Sequence, residues 1–105
     1  MLINLLNQIN YHPQQIASRT MSKKMGVEVP ITLYAFFEGE KISNEYSEFV
    51  KLIQVLEGKL AVQIKGEQPA QIQAGELFVV PAKQSHQITA LLNTKFLQIE
   101  LSPKH

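Results

Sequence analysis

Between Lys51 and His86 the chain is cut into short apolar runs by Gly58, Gly66 and Gly75. Strands of about six residues, rich in Val, Ile and Leu and closed by turn residues, are the rhythm of a β-meander. Leu60, Val62 and Ile64 alternate with Lys59, Ala61, Gln63 and Lys65, so one side of that strand can be buried and the other wetted. The corner Lys65-Gly66-Glu67 offers a glycine where a short hairpin loop needs positive φ. No apolar positions in this stretch recur at helical spacing.

The flanking segments extend the pattern. Val29 to Phe37 reads as a strand, with Ile31, Leu33, Ala35 and Phe37 on one face and Thr32, Tyr34 and Phe36 on the other. Both faces carry apolar bulk, so both need a cover. Leu52 to Leu56 poses the same problem: Leu52 and Leu56 share one face, Ile53 and Val55 the other. His86 to Leu92 and Lys95 to Leu101 form a last pair, in which Leu97, Ile99 and Leu101 alternate with Gln98 and Glu100. Ile16 to Met21 is a candidate edge strand, followed by a polar turn at Ser22-Lys23-Lys24-Met25-Gly26. At the N-terminus Leu2, Leu5, Leu6 and Ile9 are spaced as on one face of a two-turn helix, which Tyr11-His12-Pro13 ends. About eight short strands with regular turns predict an all-β sandwich or small barrel.

At 105 residues the chain is one domain with room for a single core. We read 1–28 as an N-terminal helix and edge-strand segment and 29–101 as the barrel, with Ser102 to His105 as a tail. Ten basic residues against nine acidic, with only Lys23-Lys24 adjacent, give nucleic acid no electrostatic footprint. The absence of cysteine removes disulfides, thiolate metal sites and cysteine nucleophiles together. The N-terminal run lacks a basic flank and is too short to span a membrane, so a cytoplasmic location is the expectation. No Gly-x-Ser-x-Gly elbow surrounds Ser43, Ser47 or Ser85, and no glycine-rich phosphate loop is present. His12 and His105 fall in a loop and the tail with no partner in sequence.

Two spaced frames carry a resemblance. Gly39, Glu45, Ser47, Lys51 and Gly58 stand at the intervals of the first motif of the cupin superfamily, a glycine, two histidines, a glutamate and a glycine. Gly75, Pro81 and His86 stand at the intervals of the second, with Ala90 in place of its asparagine. The chain resembles small single-domain, RmlC-like cupins, including the Gly39-Glu40-Lys41-Ile42-Ser43 run before the first motif. The resemblance implies a jelly-roll barrel (a double-stranded β-helix) with a site inside it and a homodimer.

It also implies a metal held by two histidines and a carboxylate of the first motif and one histidine of the second. Those positions are Glu45, Ser47, Lys51 and His86 here. An ammonium offers no lone pair and repels a dication, and a hydroxyl is a weak neutral ligand. Only His86 and Glu45 remain as ligands for any metal, short of the three or four protein ligands that zinc sites use. The expectation is therefore a metal-poor cupin, with no cofactor, that binds a small polar or anionic molecule through His86, Lys51, Glu45 and Ser47 as a sensor or accessory protein. Lys51 would pair with Glu45 as counter-ion, with His86 or Ser47 taking a further hydrogen bond. The alternatives are a metal-dependent isomerase or dioxygenase with an atypical ligand set, and an interaction module with a vestigial pocket. The second apolar faces of 29–37 and 52–56 require either the N-terminal segment or a second chain.

Overall fold

The computed structural model describes residues 1–104; His105, read above as part of the tail, lies outside the described residues. A 3₁₀ turn at Leu5–Asn7 precedes β1 (Ile16–Thr20), the single-turn helix α1 (Ser22–Met25) and β2 (Ile31–Phe36). Then follow β3 (Lys41–Glu45), β4 (Val50–Glu57), β5 (Lys59–Ile64), β6 (Ala70–Gln73), β7 (Leu77–Val80), β8 (His86–Ala90) and β9 (Thr94–Leu101). The strands form two antiparallel sheets, ordered β1-β2-β9-β4-β7 and β3-β8-β5-β6. The expected all-β double-stranded β-helix is the observed fold.

Both sheets turn one face inward. Phe36, Ile53, Val55, Leu60, Val62, Ile72, Val80, Ile88, Ala90 and Phe96 form the core between them. The strand reading 29–37 is two-sided as expected. Phe36 and Tyr34 face this core, while Ile31, Leu33 and Ala35 face a second cluster with Ile9 and Met21 on the outer side of the larger sheet.

The cover for that outer face comes from the chain itself, although not as a helix. Ile3, Leu5, Ile9 and Tyr11 pack against the cluster, whereas Leu2 is 98% and Leu6 39% exposed. The predicted amphipathic helix is thus corrected to an extended strap with one 3₁₀ turn. Two helical turns cannot repay their nucleation in isolation, and tertiary partners claim the backbone instead. Lys95 Nζ donates to Leu6 O at 2.7 Å and Arg19 Nη1 to Gln8 O at 3.0 Å, while Tyr11 donates to Glu57 Oε2 at 2.6 Å. The segment read as a polar turn at Ser22 is α1, closed by Gly26 at φ 74°. No helix among the described residues is long and apolar enough to cross a membrane.

Candidate functional site

Lys51 is the second residue of β4 and shares its inward face with Ile53 and Val55. It is 4% exposed, and its Nζ lies 3.0 Å from Nε2 of His86, itself 4% exposed. β4 belongs to the larger sheet and β8 to the smaller, so this hydrogen bond crosses the barrel interior. Nδ1 of His86 lies 2.9 Å from the carbonyl oxygen of Gln84. A carbonyl only accepts, so Nδ1 carries the ring hydrogen and the Nε2 lone pair receives the Lys51 ammonium. One positive charge is shared along that line.

Burial pushes the Lys51 ammonium below its ordinary value, against the opposing pull of Glu45 and Glu100. Burial also lowers His86; the Gln84 hydrogen bond and Glu45 raise it, and Lys51 lowers it further. Both shifts come chiefly from desolvation, which favours the uncharged form of each base.

Glu45 reaches the site through an irregularity. Ile42 pairs with Ile88, and strict alternation would set Asn44 opposite His86. Instead the register slips, and Glu45 is the partner of His86. Asn44 takes the extra place at φ 55°, a left-handed conformation that asparagine tolerates. Directly opposed residues share a sheet face, which puts Glu45 beside His86. The expected Glu45–Lys51 ion pair is not formed: among the described residues the one ion pair within 4.0 Å joins Lys83 and Glu48. Lys51 takes His86 as its direct partner, and Glu45 acts on it at longer range. Ser47 Oγ accepts the Phe49 N–H at 3.0 Å and its carbonyl accepts the Lys83 N–H at 2.8 Å. The serine therefore shapes the turn before β4 and makes no hydrogen bond to Lys51 or His86.

Three further residues belong to the same chamber. On β9, Phe96 faces the inner core while Leu97 and Ile99 face the outer cluster, so Gln98 and Glu100 turn inward with Phe96. Gln98 is 8% exposed, and Glu100 is the register partner of Lys51. Tyr34 stacks on Phe96 with centroids 5.0 Å apart and meets Phe36 edge-on at 5.8 Å. Its phenol is raised by burial, then by the charges of Glu45 and Glu100. The alternation along 97–101 is plain in sequence, but which side is the interior is not. The phase of Phe96 was the available signal.

The donor set does not fit the metal of the family motif. The Nε2 lone pair of His86 is engaged by Lys51, Nδ1 by Gln84, and the Ser47 hydroxyl by its own turn. Glu45 alone is left, and no group of three or more His, Cys, Asp or Glu able to hold a metal occurs among the described residues. A concavity of about 240 Å³, lined by Asn44, Gln63, Lys65, Ser85, His86 and Gln87, opens against the His86 side of the pair. It draws mainly on the β3-β8-β5 edge, so we take the buried pair, not this hollow, as the centre of the chemistry.

No family model matches the chain, and no curated protein does. Solved structures do. A conserved protein of unknown function from Streptococcus pyogenes superposes with a TM-score of 0.86 at 20% identity, over 100% of this chain and 90% of that one. A cupin superfamily protein from Desulfitobacterium hafniense gives 0.84 at 25% identity, over 96% and 90%. Salicylate 1,2-dioxygenase from Pseudoaminobacter salicylatoxidans gives 0.71 at 19% identity; 85% of this chain matches 25% of that one. The chain has the fold of small cupin domains, RmlC-like ones among them. Its fold is shared by enzymes and by proteins of unknown function alike.

Proposed function

We propose that the barrel binds a small polar or anionic molecule at Lys51 and His86. The observation that carries this reading is a buried ammonium whose direct partner is a neutral imidazole. An ammonium has three donors and here one is used on His86, so an incoming carboxylate, carbonyl or hydroxyl oxygen finds donors already oriented in a low-dielectric chamber. Glu45 and Glu100 on the chamber wall match hydroxyl donors on the same ligand. A hydroxylated acid or sugar-like molecule therefore fits better than a bare anion. Such a role suits a sensor or accessory protein. A thermal-shift screen over hydroxy acids and sugar acids tests it: stabilisation by a member of this class is expected, and its persistence in Lys51→Met would place the ligand elsewhere.

The alternative is a metal-dependent enzyme of isomerase or dioxygenase type, favoured by the dioxygenase that shares the fold. Elemental analysis separates the readings: near one zinc, nickel, manganese or iron per chain would reverse their order. We also infer a homodimer. With the strap covering Leu33 and Ala35, apolar surface is still left at the β7 edge, where Leu77 is 55% and Val79 49% exposed. A second copy is the cover we propose for it.

A further inference from the structure

The Lys51–His86 pair has the parts of an amine nucleophile. The amine is buried on the inward face that it shares with Ile53 and Val55, and its hydrogen-bond partner is a base whose tautomer is fixed from behind by Gln84. Among the described residues no carboxylate lies within 4.0 Å of the ammonium. Desolvation weakens the ammonium and outweighs the opposing pull of Glu45 and Glu100. A lysine so placed is activated toward carbonyl carbon, and a proton acceptor 3.0 Å away completes the arrangement.

We propose that Lys51 captures a small carbonyl compound as an imine inside the barrel. This rests on the reading that ligands enter at Lys51 and His86. Proton transfer from Nζ to Nε2 of His86 leaves a neutral amine, which attacks the carbonyl carbon and forms the C–N bond. The amine gives up its remaining protons as the carbonyl oxygen is protonated, first to a hydroxyl and then, with His86 as the acid, to water. Water leaves and the C=N bond forms, so the balance is amine plus carbonyl to imine plus water, with no redox change. His86 keeps its Nδ1–H bond to Gln84 throughout, so the ring need not turn. The concavity of about 240 Å³ that opens against His86 brings a small molecule to the partner of the amine.

The test uses glyoxylate with cyanoborohydride, which reduces an imine to a stable carboxymethyl amine. Intact mass followed by peptide mapping of the wild-type chain is expected to find one adduct, on Lys51. Its rate should exceed that at the exposed Lys23 and Lys24 by about tenfold for each pH unit by which the ammonium is weakened. His86→Gln should slow capture while leaving the amine in place. Adducts spread over surface lysines with Lys51 unmodified would overturn the proposal; the mapping is done on wild type, so it does not depend on a variant folding. Glycolate, which cannot form an imine, separates the two readings. A thermal shift with glycolate but no Lys51 adduct leaves binding standing and removes capture, whereas no shift and no adduct removes both.

Discussion

Replacing Gly58 by alanine should cost this fold a large part of its stability, and the cost can be apportioned. Gly58 turns the chain between β4 and β5 at φ 89°, where an L-residue pays about 1–2 kcal/mol. A Cβ there would collide with the Asn93 carbonyl oxygen, lie 2.5 Å from Thr94 Oγ1 and 2.7 Å from Thr94 Cα. Carbon contacts normally settle near ~3.5–4.0 Å. Thr94 cannot yield cheaply: it is fully buried, its Oγ1 accepts the Lys59 N–H at 2.9 Å, and it lies within donating distance of Leu92 O at 2.8 Å. Separating the two corners adds an overpacking cost of about 1–3 kcal/mol. A disrupted hydrogen bond contributes roughly another 1 kcal/mol. The sum, about 3–6 kcal/mol, is a large share of the ~5–15 kcal/mol that holds a domain together. At about 4 °C or more per kcal/mol for a chain of this size, Tm should fall by at least ~12 °C. Gly66 has φ 84° with open space around its Cβ position, so Gly66→Ala carries the conformational cost without the collision. Urea unfolding of both variants isolates the steric part. Gly58→Ala within about 1 kcal/mol of Gly66→Ala would refute the reasoning.

Lys51→Met removes a desolvated ammonium but strands the buried His86 Nε2 acceptor, at a cost of about 1–3 kcal/mol, so the two effects should nearly offset; denaturant melts check it, and a loss well beyond about 3 kcal/mol would count against the buried charge. His86 is held below its ordinary 6.5, so as pH falls from that value the unfolded chain protonates first and the fold loses about 1.4 kcal/mol per pH unit until the folded ring also titrates. Subtracting the pH–Tm profile of His86→Gln from that of wild type should show this loss on the acid side only. Lys83 occupies φ 63° in the turn before β8, so Lys83→Gly should relieve about 1–2 kcal/mol of strain against roughly 0.5–1 kcal/mol of added chain entropy; a measured destabilisation would say the side chain matters there. Leu77→Lys with Val79→Lys should convert a dimer to a monomer in light scattering without unfolding it, and an unchanged mass would move the proposed interface off the β7 edge.

The barrel was readable because its cues are local. Gly58, Gly66 and Gly75 all adopt φ between 84° and 90°, and Leu60, Val62 and Ile64 are buried in strict alternation. What could not be read depends on distant partners. The Leu2–Ile9 spacing matches a helix, yet Lys95 and Arg19, far along the chain or across a turn, take its carbonyl groups. Lys51 was readable as a buried amine with His86 or Ser47 as a hydrogen-bond partner, but proximity in the motif pointed to Glu45 as the direct counter-ion, and the fold gives that place to His86 from the opposite sheet. Gln98 and Glu100 read as polar alternates until the strap on the other side of β9 shows which face is the interior.

Which way Glu45 faces is a matter of parity. Chemistry at that position is set by the side chain, but delivery is set by whether the backbone before it bulges. Asn44 is the odd one, and everything after it inherits the change. Forcing residue 44 out of the left-handed region would leave Glu45 in the chain and still send its carboxylate to the outer surface, with residue 44 opposite His86 in its place. The acidity of this chamber therefore depends on the backbone conformation of a residue that contributes no charge to it.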